Sequence, residues 1–187
     1  MRLSKRISFV RDGNVVLRDH STPMINHGGY TNGRHMGGCA QLAFIFFPDS
    51  VTVPLLQYLL FHDTYEQITG DVNGWAKGKY PALGVATQEI EDDLDRKWEF
   101  LPTVAYEVDE PGFTECEYHI FHFIDKVDHL MVLSEQRKMG NRADRLELIY
   151  HRLQSIVQRQ LVKLEELCIL TNARALEIDV ALSEYVS

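Results

Sequence analysis

The 187-residue chain has no apolar run approaching the roughly 18 to 20 residues that a membrane-spanning helix needs. It has no excess of positive charge either. Its 19 Lys and Arg face 27 Asp and Glu, a net charge of −8, and no basic cluster is evident. That balance argues against duplex DNA or RNA as the main partner. It leaves room for a small phosphorylated ligand, which needs only a local cationic pocket. Cysteine is scarce: Cys39, Cys116 and Cys168 are scattered and odd in number, which speaks for a reducing cytoplasm and against a disulfide framework. The opening "MRLSKRISFV" has basic residues but no long apolar segment and no small-residue cleavage site, so no signal peptide is expected. Internal repeats, low-complexity tracts and inter-domain linkers are missing, and one domain over 1–187 is expected.

What is there is helical periodicity. "GGCAQLAFIFF" ends at Pro48, and "DS" offers an N-cap for a helix from about Val51 to Phe61. Ile90, Leu94, Trp98 and Leu101 recur at helical spacing. Glu115 to Lys138 reads as a long helix stopped at Gly140. Another follows with Leu146, Ile149, Leu153, Ile156 and Leu161 on one side, and a last helix fits Ala173 to Tyr185. The segments 20–33, 72–84 and 102–114 read as loops. Residues 3–12 can be a helix capped by Gly13 or one arm of a hairpin turning at Asp12-Gly13. The expected fold is all-α, a bundle of five to seven helices, with a core over about 8–139 and C-terminal helices over 142–185.

The stretch "FHDTYEQITGD", Phe61 to Asp71, stands apart. It places His62, Asp63, Glu66 and Asp71 at the end of the apolar run "VTVPLLQYLLF". Solvated charges at a helix end are the ordinary reading of such residues. Imidazole and carboxylate together also suit a divalent transition metal. A site would then need ligands from other helices. His35 is a candidate because it follows a Gly-rich loop and precedes an apolar helix. Asp128 is another, since it sits within the apolar "FIDKVDHLMVL", where a lone carboxylate is costly to bury without a partner. Asp125, three residues earlier, competes for the same face. His119, His122 and His129 lie on that helix too and read as ordinary helix histidines.

"RH" at Arg34-His35, "HDxxExxTGD" from His62 to Asp71, Lys77 shortly after, and "DKVDHL" with Asp128 together resemble the HD-domain metal-dependent phosphohydrolases. The likeness is greatest to the small bacterial and phage 5′-deoxynucleotidases and deoxynucleoside triphosphate hydrolases, and it covers roughly Ser8 to Met139. The resemblance implies an HD-type helical bundle and one divalent ion (Co, Mn, Zn, Fe or Mg) held by His35, His62, Asp63 and Asp128. It implies catalytic roles for Glu66 and Asp71. It also implies phosphate contacts from Arg18 and Lys77, with Lys79 an alternative to Lys77. His20 follows Arg18 closely enough to touch substrate, and Trp75 can stack on a base or anchor the core. The family's Arg follows a short helix and a Gly, which favours the helix for residues 3–12. Its usual aromatic neighbour is Asp19 here.

The activity implied is hydrolysis of the 5′ phosphate ester of a deoxynucleotide, as a monophosphate 5′-nucleotidase or a triphosphohydrolase. The alternatives are an inactive scaffold that binds a nucleotide or protein, or an HD enzyme acting on another phosphate ester. A homo-oligomer is expected, and a location in the cytoplasm, or in the host cytoplasm if the gene is carried by a phage.

Overall fold

A computed structural model describes residues 3–18, 29–72, 74–105 and 112–186, the side chains of Leu3 and Trp75 excepted. These residues form helices and no strand. In chain order they are α1 (Leu3–Asn14), α2 (Asn32–Phe46), α3 (Val53–Phe61), α4 (Glu66–Thr69), α5 (Gly74–Lys79), α6 (Pro81–Trp98), α7 (Glu115–Lys138), α8 (Asp144–Glu166) and α9 (Asn172–Val186). Two isolated bridges, Leu17 with Thr31 and Val104 with Phe113, are the only β-type pairings among the described residues. The all-α expectation stands, with more helices than the five to seven expected. The surplus comes from single-turn α4 and short α5.

Threonine caps set the starts of the helices that matter for the site. Thr31 accepts from the Arg34 amide and starts α2, so His35 lies inside the helix rather than before it. Thr52, not Ser50, caps α3 by accepting from the Leu55 amide, with Pro54 in the first turn where its missing N–H costs nothing. Thr114 and Glu117 form a reciprocal capping box on α7. That helix ends where Gly140 adopts φ +90°, a left-handed geometry that glycine takes without penalty. The segment 72–84, read as loop, instead holds α5 and the first turn of α6. Pro81 is a helix starter there rather than a breaker.

The main core joins α2, α3, α7, α8 and α9. Phe46, Phe47, Leu55, Phe123, Ile124 and Leu133 fill its centre, and Leu146, Val157, Leu164 and Ile178 close it from the C-terminal helices. A smaller cluster of Phe9, Tyr65 and Phe100 lies under α1 and α6. Between the two runs the turn from His62 to Glu66. Its His62 ring meets Phe121 of the main core edge-on at 4.9 Å, while Tyr65 belongs to the smaller cluster. The expected C-cap at Gly13 is not one, because α1 runs on to Asn14. Gly13 has a different use. A Cβ there would lie 2.8 Å from the Thr64 carbonyl oxygen, so α1 rests directly on the backbone of the turn.

Candidate metal centre

His35 is fully buried, and three groups from two other places in the chain converge on its Nε2 edge. His62 Nε2 lies 3.3 Å away, Asp63 Oδ2 3.5 Å and Asp125 Oδ1 3.1 Å. His62 Nε2 is also 3.2 Å from Asp63 Oδ2. The ligand atoms of His35, His62 and Asp63 all lie within 4.8 Å of one another. Helix α2 supplies His35, the end of α3 supplies His62 and Asp63, and α7 supplies Asp125.

The opposite edges of both rings are already engaged. His62 caps α3, and its Nδ1 donates to the Leu59 carbonyl at 3.1 Å. His35 Nδ1 donates to Asp128 Oδ2 at 2.7 Å. Nδ1 being engaged in both rings, the two Nε2 atoms are the ones left to face the carboxylates: a metal ion would take both as lone pairs, and otherwise a proton on His35 Nε2 serves Asp125. Two imidazole nitrogens among carboxylates need a shared cation, which a proton or a metal ion can supply. Zinc, manganese, iron and cobalt all accept such a nitrogen and oxygen set, so the donor chemistry fits one divalent ion.

The two aspartates of α7 meet His35 on opposite edges. Asp128, chosen above for the fourth ligand, sits on the Nδ1 side of His35, away from His62 and Asp63. Asp125 stands on the Nε2 side. Lys126 pairs with its second oxygen at 2.5 Å. Asp128 groups with His35 and Cys39 instead, where the Cys39 sulfur is 3.7 Å from Nδ1. Burial pushes the Cys39 thiol up to about 11, so it packs there as a neutral group.

The charges hold one another. Burial opposes ionisation of Asp63, but His62 and Arg18 keep its carboxyl well below the usual carboxylate range. Asp125 is likewise held low against burial, by the hydrogen bond from His35 and by Lys126. Burial and Arg18 work against a charge on His35, while Cys39, Asp125 and Asp128 raise its imidazole well above the ordinary value.

Glu66 begins α4 and is nearly buried. Asn32 donates from Nδ2 to Glu66 Oε2 at 2.8 Å and to the Asp63 carbonyl at 3.0 Å. Burial first, then the charges of Asp63 and Asp71, push the Glu66 carboxyl up to about 9. Asn32 Oδ1 is buried and has no hydrogen-bond partner among the described residues, an open acceptor beside that carboxyl. Arg18 pairs with Asp63 and lies 3.9 Å from Glu66 Oε2. Its backbone amide donates to the Tyr30 carbonyl at 3.1 Å.

The other expected contacts fall as follows. Asp71 is close enough for its charge to act on Glu66. Lys77, on α5, acts on Glu91 of α6, whose carboxyl burial raises and Lys77 lowers. Trp75 lies on α5, but its side chain is outside the described residues, and so is His20. Tyr30 and Asn32 were missed. Both belong to "YTNGRH", just ahead of His35, and both are buried; neither residue type marks the carboxylates it meets.

No family model, curated protein or solved structure matches the chain.

Proposed function

We propose that this protein is a divalent-metal-dependent phosphohydrolase acting on the 5′ phosphate ester of deoxynucleotides, mono- or triphosphate. The observation that carries the reading is the meeting of the His35 and His62 Nε2 atoms at 3.3 Å, with the Asp63 carboxylate beside both, Asp125 beside His35 and Glu66 at the same turn. The deoxynucleotide substrate rests on the "HDxxExxTGD" resemblance.

His35, His62, Asp63 and Asp125 would hold the ion. Bound there, it supplies the Lewis acidity that acidifies a water and polarises a phosphate oxygen. The chain's own residues do the rest. Arg18 presents a half-buried guanidinium at Asp63 and Glu66, a point from which it can neutralise phosphate charge. Glu66, pushed up to about 9, keeps its proton at neutral pH and can give it to the leaving 5′ oxygen. Asn32 fixes the orientation of that carboxyl. The charge of Asp71 helps hold the Glu66 proton in place.

The test is a hydrolysis screen of metal-stripped protein with added Co²⁺, Mn²⁺, Zn²⁺ or Mg²⁺, against the four deoxynucleoside monophosphates and triphosphates. Free phosphate from monophosphates, or intact triphosphate from triphosphates, is the expected product and decides between the two reactions. Asp125→Asn should lower turnover by ~10²-fold or more, beyond the cost of a residue that only supports a ligand. No turnover with any metal, despite measured metal binding, would replace the enzyme by a nucleotide-binding scaffold.

A further inference from the structure

Asp125 and Asp128 are three residues apart on α7, so their side chains project from one face of the helix. They do not share a ligand position. One carboxylate meets Nε2 of His35 at 3.1 Å and the other meets Nδ1 at 2.7 Å. A single helix therefore grips both edges of one imidazole. The Asp128 grip is itself held. The buried Tyr30 hydroxyl donates to Asp128 Oδ2 at 3.0 Å. Gly38, on the same α2 face as His35, gives the carboxylate room, since a Cβ there would lie 2.6 Å from Asp128 Oδ1. Three residues, His35, Gly38 and Tyr30, thus converge on a carboxylate that stands on the Nδ1 edge of the ring, away from Asp63.

We propose that Asp128 is a positioning residue, which fixes the tautomer and ring plane of His35 through Nδ1, with Tyr30 and Gly38 fixing Asp128 in turn. The inference rests on the metal-centre reading above. An imidazole whose Nδ1 proton is held by a carboxylate keeps its Nε2 lone pair free, aimed and more basic. Without Asp128, His35 is free to take the other tautomer, with a proton on Nε2 where the lone pair is needed.

Co²⁺ binding tests this without reference to turnover. Metal-free full-length wild type, D128A, D128N, Y30F, G38A and D125N are titrated with Co²⁺, following the visible ligand-field bands, with a chelator in competition to give affinity. Wild type should take up one ion. D128A should bind one ion roughly 10- to 100-fold more weakly, with an unchanged band shape. D128N still offers Nδ1 an acceptor and should recover part of the loss. Y30F should fall between wild type and D128A, and it keeps the proposal testable if D128A does not fold. G38A should weaken binding in the same direction. D125N should change the band shape, because it alters a ligand. In the Zn²⁺-loaded protein the His35 Nδ1 proton should be protected from solvent exchange in wild type and not in D128A. Wild-type affinity in both D128A and Y30F would overturn the proposal. So would a changed band in D128A together with an unchanged band in D125N, which would make Asp128 a ligand. A wild type that takes up no metal overturns the metal reading itself, and shows this before any substitution is compared.

Discussion

Leu133, Leu146 and Leu164 are fully buried, and their surroundings are the side chains of the main core. His35 is just as buried, yet it touches three carboxylates, a second imidazole and a thiol. The first environment works by removing apolar surface from water, and many sequences of the right volume would serve it. The second works only if every charge finds its partner, because an uncompensated buried ion costs several kcal/mol. The two regions share α7. Ile124, Val127, Leu130 and Leu133 face the main core, while Asp125 and Asp128 face the site. One helix thus carries both the generic requirement and the specific one.

The division can be broken from the core side. Leu133→Ala should cost about 2–5 kcal/mol of stability, read as a lowered midpoint in urea, because a fully buried leucine leaves a cavity. Co²⁺ affinity of the folded variant should stay close to wild type. A joint collapse of stability and affinity would mean that the two regions are not separable.

From the site side, the sharper probe is Glu66→Gln in the presence of a chelator. The folded chain holds the Glu66 proton far more tightly than an unfolded chain does, with a carboxyl pushed up to about 9. Wild type therefore loses stability as pH climbs from the ordinary glutamate value toward 9, by up to ~1.4 kcal/mol per pH unit. Glutamine has no such proton to lose. The melting temperature of E66Q should equal or fall below that of wild type near pH 4.5 and rise above it by pH 8. Parallel pH curves for the two proteins would remove Glu66 from the buried acid role.

The smallest effect belongs to the α7 start. Thr114→Ala should cost about 1 kcal/mol, because the Glu117 amide loses its acceptor. Metal affinity should not change, since Asp125 lies well inside the helix.

The helices of the main core were readable from apolar spacing and stop signals. Glu115–Lys138 was located to the residue, with Gly140 as its stop signal. Segment 72–84 was not readable. Gly74, Gly78 and Pro81 are loop residues by composition, and only packing of α5 against α6 makes that stretch helical. Within the site, His35, His62, Asp63 and Glu66 were picked out by residue type and spacing. The choice between Asp125 and Asp128 was not open to such reasoning, because both sit on one face of α7. Which edge of a distant imidazole each one meets is a tertiary fact. Tyr30 and Asn32 escaped for the same reason, as an aromatic hydroxyl and an amide near a helix start carry no mark of the carboxylates they bind.

The spread of the four groups along the chain has a consequence for biogenesis. His35, His62 and Asp63 are synthesised well before Asp125, and nothing shorter than the chain through α7 can bring all four together. Until α7 has emerged from the ribosome and docked on α2, the growing chain holds two imidazoles and one carboxylate without their fourth member. Domains fold as units during synthesis, so the full candidate donor set is assembled late. A metal ion offered to the nascent chain before that moment meets only a partial and weaker set of donors.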